Sequence, residues 1–592
     1  GNALFTTAFN RFQAPMTGIS GNQSAGEFGF DSLEDFAAGN PSVYLRPFQQ
    51  GEQIPGDEFD VVEWSAYLQD EWRVNDKLTA TLGLRFDQQS FSTNPDPVAD
   101  IESAFGFTTG IAPTDSDNIS PRLSLAYDLN ADGRQVLRAG AGYFYGRIPL
   151  VLGGNVIQTQ RPIVELRCEG EAGSPDAPPV VDGYRDWSPD GSDNPFTCRG
   201  GSDAVIPTPA YTVWSDDFEY PETFRANLGF ESAVGDDARF SVDLLYSAGF
   251  NQYNVRNLNL RPEQFRIAGE NRPVFTPIGV FAPGDDNEVN SRINTDFAEV
   301  YAVFSDGQNR AYLANVEFSQ NFGARTRLTG SYTFNRAFDN ISSSCCTSNG
   351  LYGDPVVGAT SPNDLGGPGD TDKAWGISQF SRDHSFILSG QTRLPFGIDL
   401  SGFWRLTSGR RFTPVVDGDL NGDGLDDNDL PFVYAPDQLP LASAGTPDEA
   451  AERAAYAQIL EDNACLADQV GSYAQRNSCT GPWENRLDLR LSRSIQTFAG
   501  QRAELQLDFF NVINGLGTLF CDEADQVDDP FDGACGWGRI TTVTGRDILS
   551  ISSFDRESRT YQYRVDDSFG EEATLGSNLL LQFQAQIGLR YY

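Results

Sequence analysis

The stretch Leu78-Thr79-Ala80-Thr81-Leu82-Gly83-Leu84-Arg85-Phe86-Asp87 places apolar residues at every second position. The positions between them hold Thr, Thr, Gly, Arg and Asp. Because successive side chains of a β-strand point to opposite faces of a sheet, this alternation predicts a strand with one apolar and one polar face.

The same alternation returns along the whole chain. The apolar positions of the further strands are Phe224/Ala226/Leu228/Phe230, Phe240/Val242/Leu244/Tyr246, Tyr312/Ala314/Val316/Phe318, Leu328/Tyr332/Phe334, Leu487/Leu489/Leu491, Ala503/Leu505/Leu507/Phe509 and Leu581/Phe583/Ala585/Ile587/Leu589. A soluble sandwich of two sheets alternates in the same way, so the connections between strands must distinguish the two classes of protein.

Short and long connections alternate along the chain. Short turns lie at Asn75-Asp76-Lys77, Asp132-Gly133, Gly235-Asp236-Asp237, Phe322-Gly323-Ala324, Pro395-Phe396-Gly397 and Phe498-Ala499-Gly500. Long polar stretches lie near 91–118, 149–220, 255–308, 339–380, 411–482 and 513–575. This alternation predicts an all-β chain, a transmembrane antiparallel β-barrel of the bacterial outer membrane with periplasmic turns and long extracellular loops.

We predict fourteen membrane-spanning strands, each of about 10 to 14 residues and therefore long enough to cross a bilayer. They lie near 3–12, 61–73, 78–90, 119–130, 135–148, 222–233, 238–252, 309–321, 326–337, 383–395, 398–409, 484–495, 501–512 and 577–591. A segment near 297–305, followed by a turn at Ser305-Asp306-Gly307, is predicted to be an extracellular finger. The chain ends in an alternating strand that closes on Tyr591 and Tyr592, which is typical of outer-membrane proteins.

The charge excludes nucleic acid as a partner. The 592 residues contain 83 Asp and Glu against 42 Lys and Arg, a net charge of -41, so the basic surface that binds phosphates is missing. Lys77 and Lys373 are the only lysines. This composition indicates either adaptation to high salt or an acidic extracellular face. No apolar run reaches about 18 residues, which excludes a helical membrane span.

Several segments resemble the TonB-dependent receptors, within them the Oar-like branch related to SusC-type transporters. The residues that carry the resemblance are Tyr67 to Val74, Leu78 to Asp87, Ser120 to Leu123, Val136 to Arg147, Arg382 to Phe386, Leu394 to Gly397 and Asp508 to Asn514. The resemblance implies a 22-stranded barrel filled by an N-terminal plug domain and preceded by a peptide that contacts TonB. Residues 1–592 then form the C-terminal portion of the barrel, and the plug and first strands lie upstream. A complete 14-stranded pore is the alternative.

The loop Asp419-Leu420-Asn421-Gly422-Asp423-Gly424-Leu425-Asp426-Asp427 has the spacing of a calcium loop. Asp419, Asn421, Asp423 and Asp427 supply side-chain oxygens, and Leu425 supplies a carbonyl. Leu430 stands at the position of the usual bidentate Glu, and the adjacent Asp429 could substitute for that ligand. The hypothesis is a structural Ca²⁺, and the alternative is a solvated acidic loop tip.

All eight cysteines fall in predicted external loops, where an oxidising compartment favours disulfides. The spacing suggests the pairs Cys168–Cys198, Cys465–Cys479 and Cys521–Cys535. Cys345 and Cys346 either form a vicinal bridge or stay free.

No catalytic motif is present, so we expect no enzyme activity. The single histidine, His384, is expected to make a structural hydrogen bond beside Asp383. Charged residues on the polar strand faces are expected to line the lumen: Arg85, Asp87, Asp243, Glu317, Arg490, Glu504 and Asp508. Loop residues Tyr211, Trp214, Asp216, Asp217, Trp375 and Phe380 are candidates for ligand binding or ordinary packing.

The preferred hypothesis is an outer-membrane TonB-dependent transporter for a large or scarce ligand. The alternatives are a passive porin-like channel and a non-transporting surface protein of adhesion, envelope structure or secretion. The expected partners are outer-membrane lipid, the TonB complex through the upstream part, and a surface lipoprotein or other envelope protein.

Overall fold

The computed structural model describes residues 2–15, 26–49, 56–92, 94–158, 163–170, 174–179, 195, 197–201, 208–283, 287–341, 375–426, 428–520, 540–574 and 583–591. Fourteen long strands pair in chain order to form one antiparallel sheet, the wall. They are β1 (Asn2–Pro15), β2 (Gly56–Arg73), β3 (Leu78–Phe91), β4 (Ile119–Asp128), β5 (Gln135–Tyr145), β6 (Glu222–Val234), β7 (Ala238–Asn257), β8 (Val300–Phe322), β9 (Thr326–Asp339), β10 (Arg382–Leu394), β11 (Ile398–Thr407), β12 (Glu484–Gln496), β13 (Arg502–Phe510) and β14 (Gln584–Tyr591). Within these residues β1 and β14 are not paired with each other.

The fourteen predicted spans are confirmed, each by one strand of the wall. The short turns are confirmed as well. At the β2–β3 turn the Asn75 side chain accepts hydrogen bonds from the backbone N–H groups of Lys77 and Leu78, at 2.8 and 3.0 Å. At the β4–β5 turn Gly133 has φ 71°, which glycine adopts at little cost.

The predicted turn at 305–307 is wrong. Residues from Val300 onward continue without a break into β8, so the predicted finger is an extension of a wall strand. Asp306 lies inside this strand, where it accepts a hydrogen bond from Asn254 at 3.0 Å and pairs with Arg256 of β7. A bulge between Gly249 and Asn254 shifts the register of β7 against β8 at this point. The number of spans is unchanged.

The register separates the two faces of the wall. The strand pairings, followed from β3 to β14, place seven charged residues on one face, called the lumen face here: Arg85, Asp87, Asp243, Glu317, Arg490, Glu504 and Asp508. The other face, the lipid face, exposes large apolar side chains such as Leu82, Leu228, Phe318, Leu388, Ile587 and Leu589. This division is what a bilayer requires of a barrel wall.

Aromatic side chains mark both edges of the lipid face. On β8, Tyr312 and Phe322 are 45% and 58% exposed on this face. Ten residues separate them; with a rise of about 3.3 Å per residue and a tilt of about 40°, they stand about 25 Å apart across the membrane. That distance equals the usual height of the apolar band of such barrels. Trp72, Tyr127 and Tyr591 belong to the turn-side edge.

The long connections are not simple polar loops, which corrects their interpretation as such. Parts of three of them fold together around one hydrophobic core, called the cap here: residues 258–298, 411–482 and 540–574. Its buried members include Phe281, Val433, Leu460, Ile548 and Tyr561. The sequence pattern did not reveal this core because each segment supplies only a few of its apolar residues.

Smaller elements complete the connections. Short strands pair as Glu27–Gly29 with Val43–Gln49 and Ile163–Cys168, Phe265–Arg266 with Pro273–Val274, Arg411–Phe412 with Cys479–Thr480, Val415–Asp417 with Asp547–Asp555 and Thr560–Val565, Thr541–Val543 with Glu572–Thr574, Tyr211–Trp214 with β8, and Gly376–Ile377 with β9. The helices are Leu33–Ala38, Ala99–Phe105, Leu150–Gln158, Glu288–Ser291, Glu449–Asp462, Ala464–Ala467 and Val512–Phe520, with 3₁₀ turns at Pro395–Gly397 and Phe498–Gly500. In the described part of the chain, none of the helices combines the length and the apolar character that a membrane crossing needs.

Two of the predicted disulfides are confirmed. Cys168–Cys198 joins segments 30 residues apart and packs in a small core with Tyr44 and Leu166. Cys465–Cys479 closes a span of 14 residues at the edge of the cap core. Cys345, Cys346, Cys521 and Cys535 lie outside the described residues, so their pairing stays a prediction.

The two neighbouring leucines of β7 give a direct test of the faces. Leu244 lies on the lipid face and Leu245 on the lumen face, with similar exposed fractions of 45% and 38%. We expect Leu244→Arg to lower the free energy of unfolding by about 2–4 kcal/mol, because it places a charge in lipid. Leu245→Arg is the matched control and is expected to cost much less. Urea unfolding in lipid vesicles measures both, and equal losses would contradict the assignment of faces.

Removing the cap disulfide is expected to loosen the cap and leave the wall intact. The double variant Cys465→Ser/Cys479→Ser loses a cross-link that lowers the entropy of the unfolded loop and thereby stabilises the folded loop by about 3 kcal/mol. Hydrogen exchange of residues 433–480 should therefore accelerate, whereas exchange in β4 and β5 should not change. The variant Cys168→Ser/Cys198→Ser is the control, because its effect should appear around residues 43–49 instead.

Candidate functional site

The lumen face carries a concave pocket of about 280 Å³ near the loop ends of β2 to β5. Its lining mixes both signs of charge with aromatic rings: Glu63, Trp64, Ser65, Arg85, Asp87, Gln88, Gln89, Arg122, Phe144, Tyr145, Gly146, Arg147 and Tyr220. Because alternate residues of a strand share a face, neighbouring strands turn several of these side chains to the lumen face together: Glu63, Ser65, Arg85, Asp87, Gln89, Arg122 and Phe144. We call it the lumen pocket.

Two of the three arginines of the lumen pocket are paired. Arg85 binds Asp87 through two nitrogens, with Nε–Oδ2 and Nη2–Oδ1 distances of 2.7 and 2.6 Å. Arg147 pairs with Glu63 at 2.9 Å. These pairs hold the charges in place and leave their outer edges available to a polar ligand.

The third arginine, Arg122, lies over the ring of Phe144 at 4.2 Å from the ring centre. Its buried Nε has no hydrogen-bond partner in the described part of the chain. A guanidinium that stacks on an aromatic ring keeps its in-plane N–H groups available, and these suit carboxylate, phosphate or hydroxyl groups.

A helix covers the loop end of the lumen pocket. Helix Leu150–Gln158 packs at Gly153 against the lumen-side rings of Phe59 and Phe91, where a Cβ would come within 2.7 Å of Phe91. Gln89 fixes the segment that leads into this helix, because its side-chain oxygen accepts a hydrogen bond from the Ile148 N–H at 2.9 Å. The long connection after β5 therefore folds inward instead of leaving this end of the wall open.

A second helix turns inward after β13. Asn511 is fully buried with φ 47°, a left-handed conformation that asparagine tolerates better than most residues. Its N–H donates to Asp488 of the lumen face at 2.8 Å, and helix Val512–Phe520 follows. A second, more open pocket of about 560 Å³ lies on the same face, between Arg327, Asp488 and Arg490.

The predicted calcium loop is buried inside the cap. Asp419, Asn421 and Asp423 are 1%, 0% and 5% exposed, so they do not form a solvated loop tip. Their oxygens accept backbone N–H groups: Gly422 donates to Asp419 at 2.6 Å, and Leu425 donates to Asp423 at 2.9 Å. Asp427 lies outside the described residues.

Burial raises the pKa values of the carboxyl groups in this part of the cap. The pKa of Asp419 rises well above its usual value because burial and the neighbouring Asp423 and Asp429 disfavour its charged form. Burial raises the pKa of Asp423 to about 6. It raises the pKa of Asp429 to about 7, although Arg272 at 2.9 Å opposes the shift.

The other sequence candidates take structural positions. His384 lies in the aromatic edge of the lipid face, where its Nδ1 is 2.9 Å from the Tyr332 hydroxyl, as expected of a structural hydrogen bond. Tyr211 and Trp214 are buried in loop cores, so packing is their role. Thr108 donates to Asp216 at 2.9 Å, Ser215 donates to Asp217, and Arg310 lies over the Trp375 ring at 5.4 Å. Phe380 is 61% exposed.

Sequence reasoning missed most of the lumen pocket. It identified Arg85 and Asp87 but not Glu63, Arg122 or Arg147, which come from other strands or follow a strand end. The sequence does show which residues of β2 and β4 lie on the polar face. Pairing these strands with β3 from the positions of the turns would have placed Glu63 and Arg122 near Arg85 and Asp87. As for metals, the described residues contain no cluster of three or more His, Cys, Asp or Glu side chains placed to hold an ion.

Comparison with solved structures finds distant similarity to outer-membrane transporters and receptors. The outer membrane transporter YddB from Escherichia coli is 12% identical, with a TM-score of 0.42 over 86% of this chain and 47% of that chain. The FrpB iron transporter from Neisseria meningitidis is 10% identical, with a TM-score of 0.37 over 86% and 48%. The siderophore receptor PirA from Acinetobacter baumannii is 10% identical, with a TM-score of 0.35 over 86% and 51%. The chain thus spans about half the length of these proteins.

Comparison with curated protein sequences finds no significant match. The family model of the outer membrane beta barrel domain matches residues 2–547, which is most of the chain. The match includes thirteen of the fourteen strands of the wall. The chain therefore belongs to the outer membrane beta barrel domain family, whose place is the bacterial outer membrane.

Proposed function

We propose that this chain is the barrel part of an outer-membrane transporter that takes up a large or scarce ligand with energy supplied through TonB. The observation that carries the proposal is the lumen pocket, in which paired charges and aromatic rings are arranged on the inner wall beneath helix Leu150–Gln158. Such a built polar site suits the selective capture of one class of ligand. We expect no catalysis.

The folded external part supports a selective transporter over a passive channel. A passive pore needs an open path for small solutes, and long loops add nothing to it. Here helix Leu150–Gln158 covers one end of the lumen pocket, and the cap has its own core. Order of this kind is characteristic of a recognition surface. The TonB coupling rests on the resemblance of segments such as Tyr67 to Val74 to TonB-dependent receptors.

The proposal is tested by comparing what three strains consume from the medium: the parent, a strain lacking this gene, and a TonB-deficient strain. We expect at least one medium component, followed by mass spectrometry, to be consumed by the parent and left by both mutants. A component left only by the gene-deletion strain would indicate passive diffusion and contradict TonB coupling. An adhesion defect in the gene-deletion strain without any difference in consumption would favour a non-transporting surface protein.

The lumen pocket gives a residue-level prediction for the same component. We expect Arg122→Ala to raise the half-saturation concentration for its uptake about tenfold or more, because a hydrogen bond to a charged group contributes about 1.5–3 kcal/mol. Arg138→Ala is the matched control: Arg138 lies on the same lumen face but near the short turns, where it pairs with Glu231 at 2.9 Å. If both variants are present at the cell surface in equal amounts and both raise the half-saturation concentration equally, the lumen pocket has no specific role in uptake.

A further inference from the structure

The cap buries more negative charge than it pairs. Glu270, Asp419, Asp423 and Asp429 are all at most 5% exposed, and Arg272 is the cation among them. Arg272 is committed to two of these carboxylates, at 3.2 Å from Glu270 and 2.9 Å from Asp429. In the part of the chain that the structure describes, no Arg, Lys or His forms an ion pair with Asp419 or Asp423. Two buried carboxylates that lack a counter-charge are costly.

The side-chain amide of Asn428, which lies beside Asp423, has an oxygen without a hydrogen-bond partner in the described part of the chain. Asn428 is 3% exposed, and its Nδ2 donates to Asp423 at 3.2 Å. The Oδ1 atom of this amide is buried and has no hydrogen-bond partner among the described residues. A second amide, that of Asn421, also donates its Nδ2 to Asp423, at 3.3 Å. The Oδ1 of Asn421 accepts from the backbone N–H of Asp423 at 2.8 Å, so this amide keeps its orientation. Rotation of the Asn428 amide about its last bond would turn its unpartnered oxygen toward the Asp423 carboxylate, an arrangement that a cation between them stabilises.

The donor set indicates which cation. The side-chain donors are the carboxylates of Asp419 and Asp423 and the amide oxygens of Asn421 and Asn428. The carbonyl of Leu425 stays a predicted ligand, so every donor is oxygen. Hard divalent cations prefer oxygen, whereas zinc is usually held by Cys and His. An irregular set of mixed oxygen donors suits Ca²⁺ better than Mg²⁺, which demands near-ideal octahedral geometry.

We propose that Asp419, Asn421, Asp423 and Asn428 form a buried Ca²⁺ site in the cap. This changes the set of ligands expected from the sequence: Asn428 enters it, and Asp429 is left out, because Asp429 is occupied by Arg272 and by the backbone N–H of Leu420, at 2.7 Å. The proposal is independent of the transported ligand and of TonB.

The ion would act on the whole cap, since the loop that holds it is tied to two other connections. Asn287 donates to Asp419 at 3.2 Å, and Thr276 donates to the carbonyl of Gly422 at 2.8 Å. Tyr561 donates to the carbonyl of Leu420. Neutralising Asp419 and Asp423 would therefore stabilise contacts among residues 258–298, 411–482 and 540–574 together.

The test is titration of the whole protein with CaCl₂ by calorimetry, after removal of divalent ions with EGTA. We expect saturable binding with a Kd of about 0.1–1 mM, as in extracellular calcium modules. Slower hydrogen exchange in the peptides that span 415–434 should accompany it. Absence of saturable binding up to about 10 mM would overturn the proposal, and binding of Mg²⁺ as tight as that of Ca²⁺ would overturn the assignment to calcium.

Three variants locate the site. Asp423→Asn keeps the shape of the side chain and removes one charge, so we expect it to weaken binding by about tenfold or more, given that changes outside the ligand set alone cost about 10–100-fold. Asn428→Ala should weaken binding as well, and unchanged affinity in both would overturn the proposal. Asp437→Asn is the control, because it removes the same charge from an exposed position of the same connection and should bind like the parent. If Asp423→Asn does not fold, Asn428→Ala decides.

Discussion

The requirement that no backbone N–H or C=O group be left unsatisfied in lipid governs this structure. It forces the membrane-crossing segments into one continuous antiparallel ladder, in which each strand takes its register from the one before. Once that ladder is set, alternate residues must face lipid and lumen, and every other feature follows from the division. The aromatic edges, the charges of the inner wall and the position of the lumen pocket are each consequences of which residues the ladder turns inward.

The wall was predictable because its determinant is local. Period-two alternation in stretches such as Leu78 to Asp87, with turn residues such as Asp132-Gly133, locates strands without knowledge of their neighbours. The error at Ser305-Asp306-Gly307 has a physical cause of the same kind. These residues favour turns in isolation, but Asp306 finds partners on the adjacent strand that hold it extended.

The cap and the candidate sites were predictable only in part. A calcium-like spacing is visible at Asp419 to Leu425, and paired cysteines are visible in the loops. The burial of that loop, the commitment of Asp429 to Arg272 and the unpartnered oxygen of Asn428 depend on segments far away in the sequence. The lumen pocket is similar: Arg85 and Asp87 show the polar face, but the meeting of Glu63 with Arg147 arises from the fold of a connection with no periodic signal.

The contact between Glu270 and Tyr563 joins residues 293 positions apart. Contacts of such long sequence separation form late, because the entropy of closing the intervening chain must be overcome first. Until the connection before β14 is in place, the parts of the cap from earlier connections lack Ile548, Leu549, Tyr561 and Tyr563, which complete their core. The last strand thus completes two structures at once. Its insertion extends the wall at its far edge and brings in the segment that completes the cap core. A barrel that lacks its last hairpin would therefore expose apolar residues of the cap to the medium and to proteases.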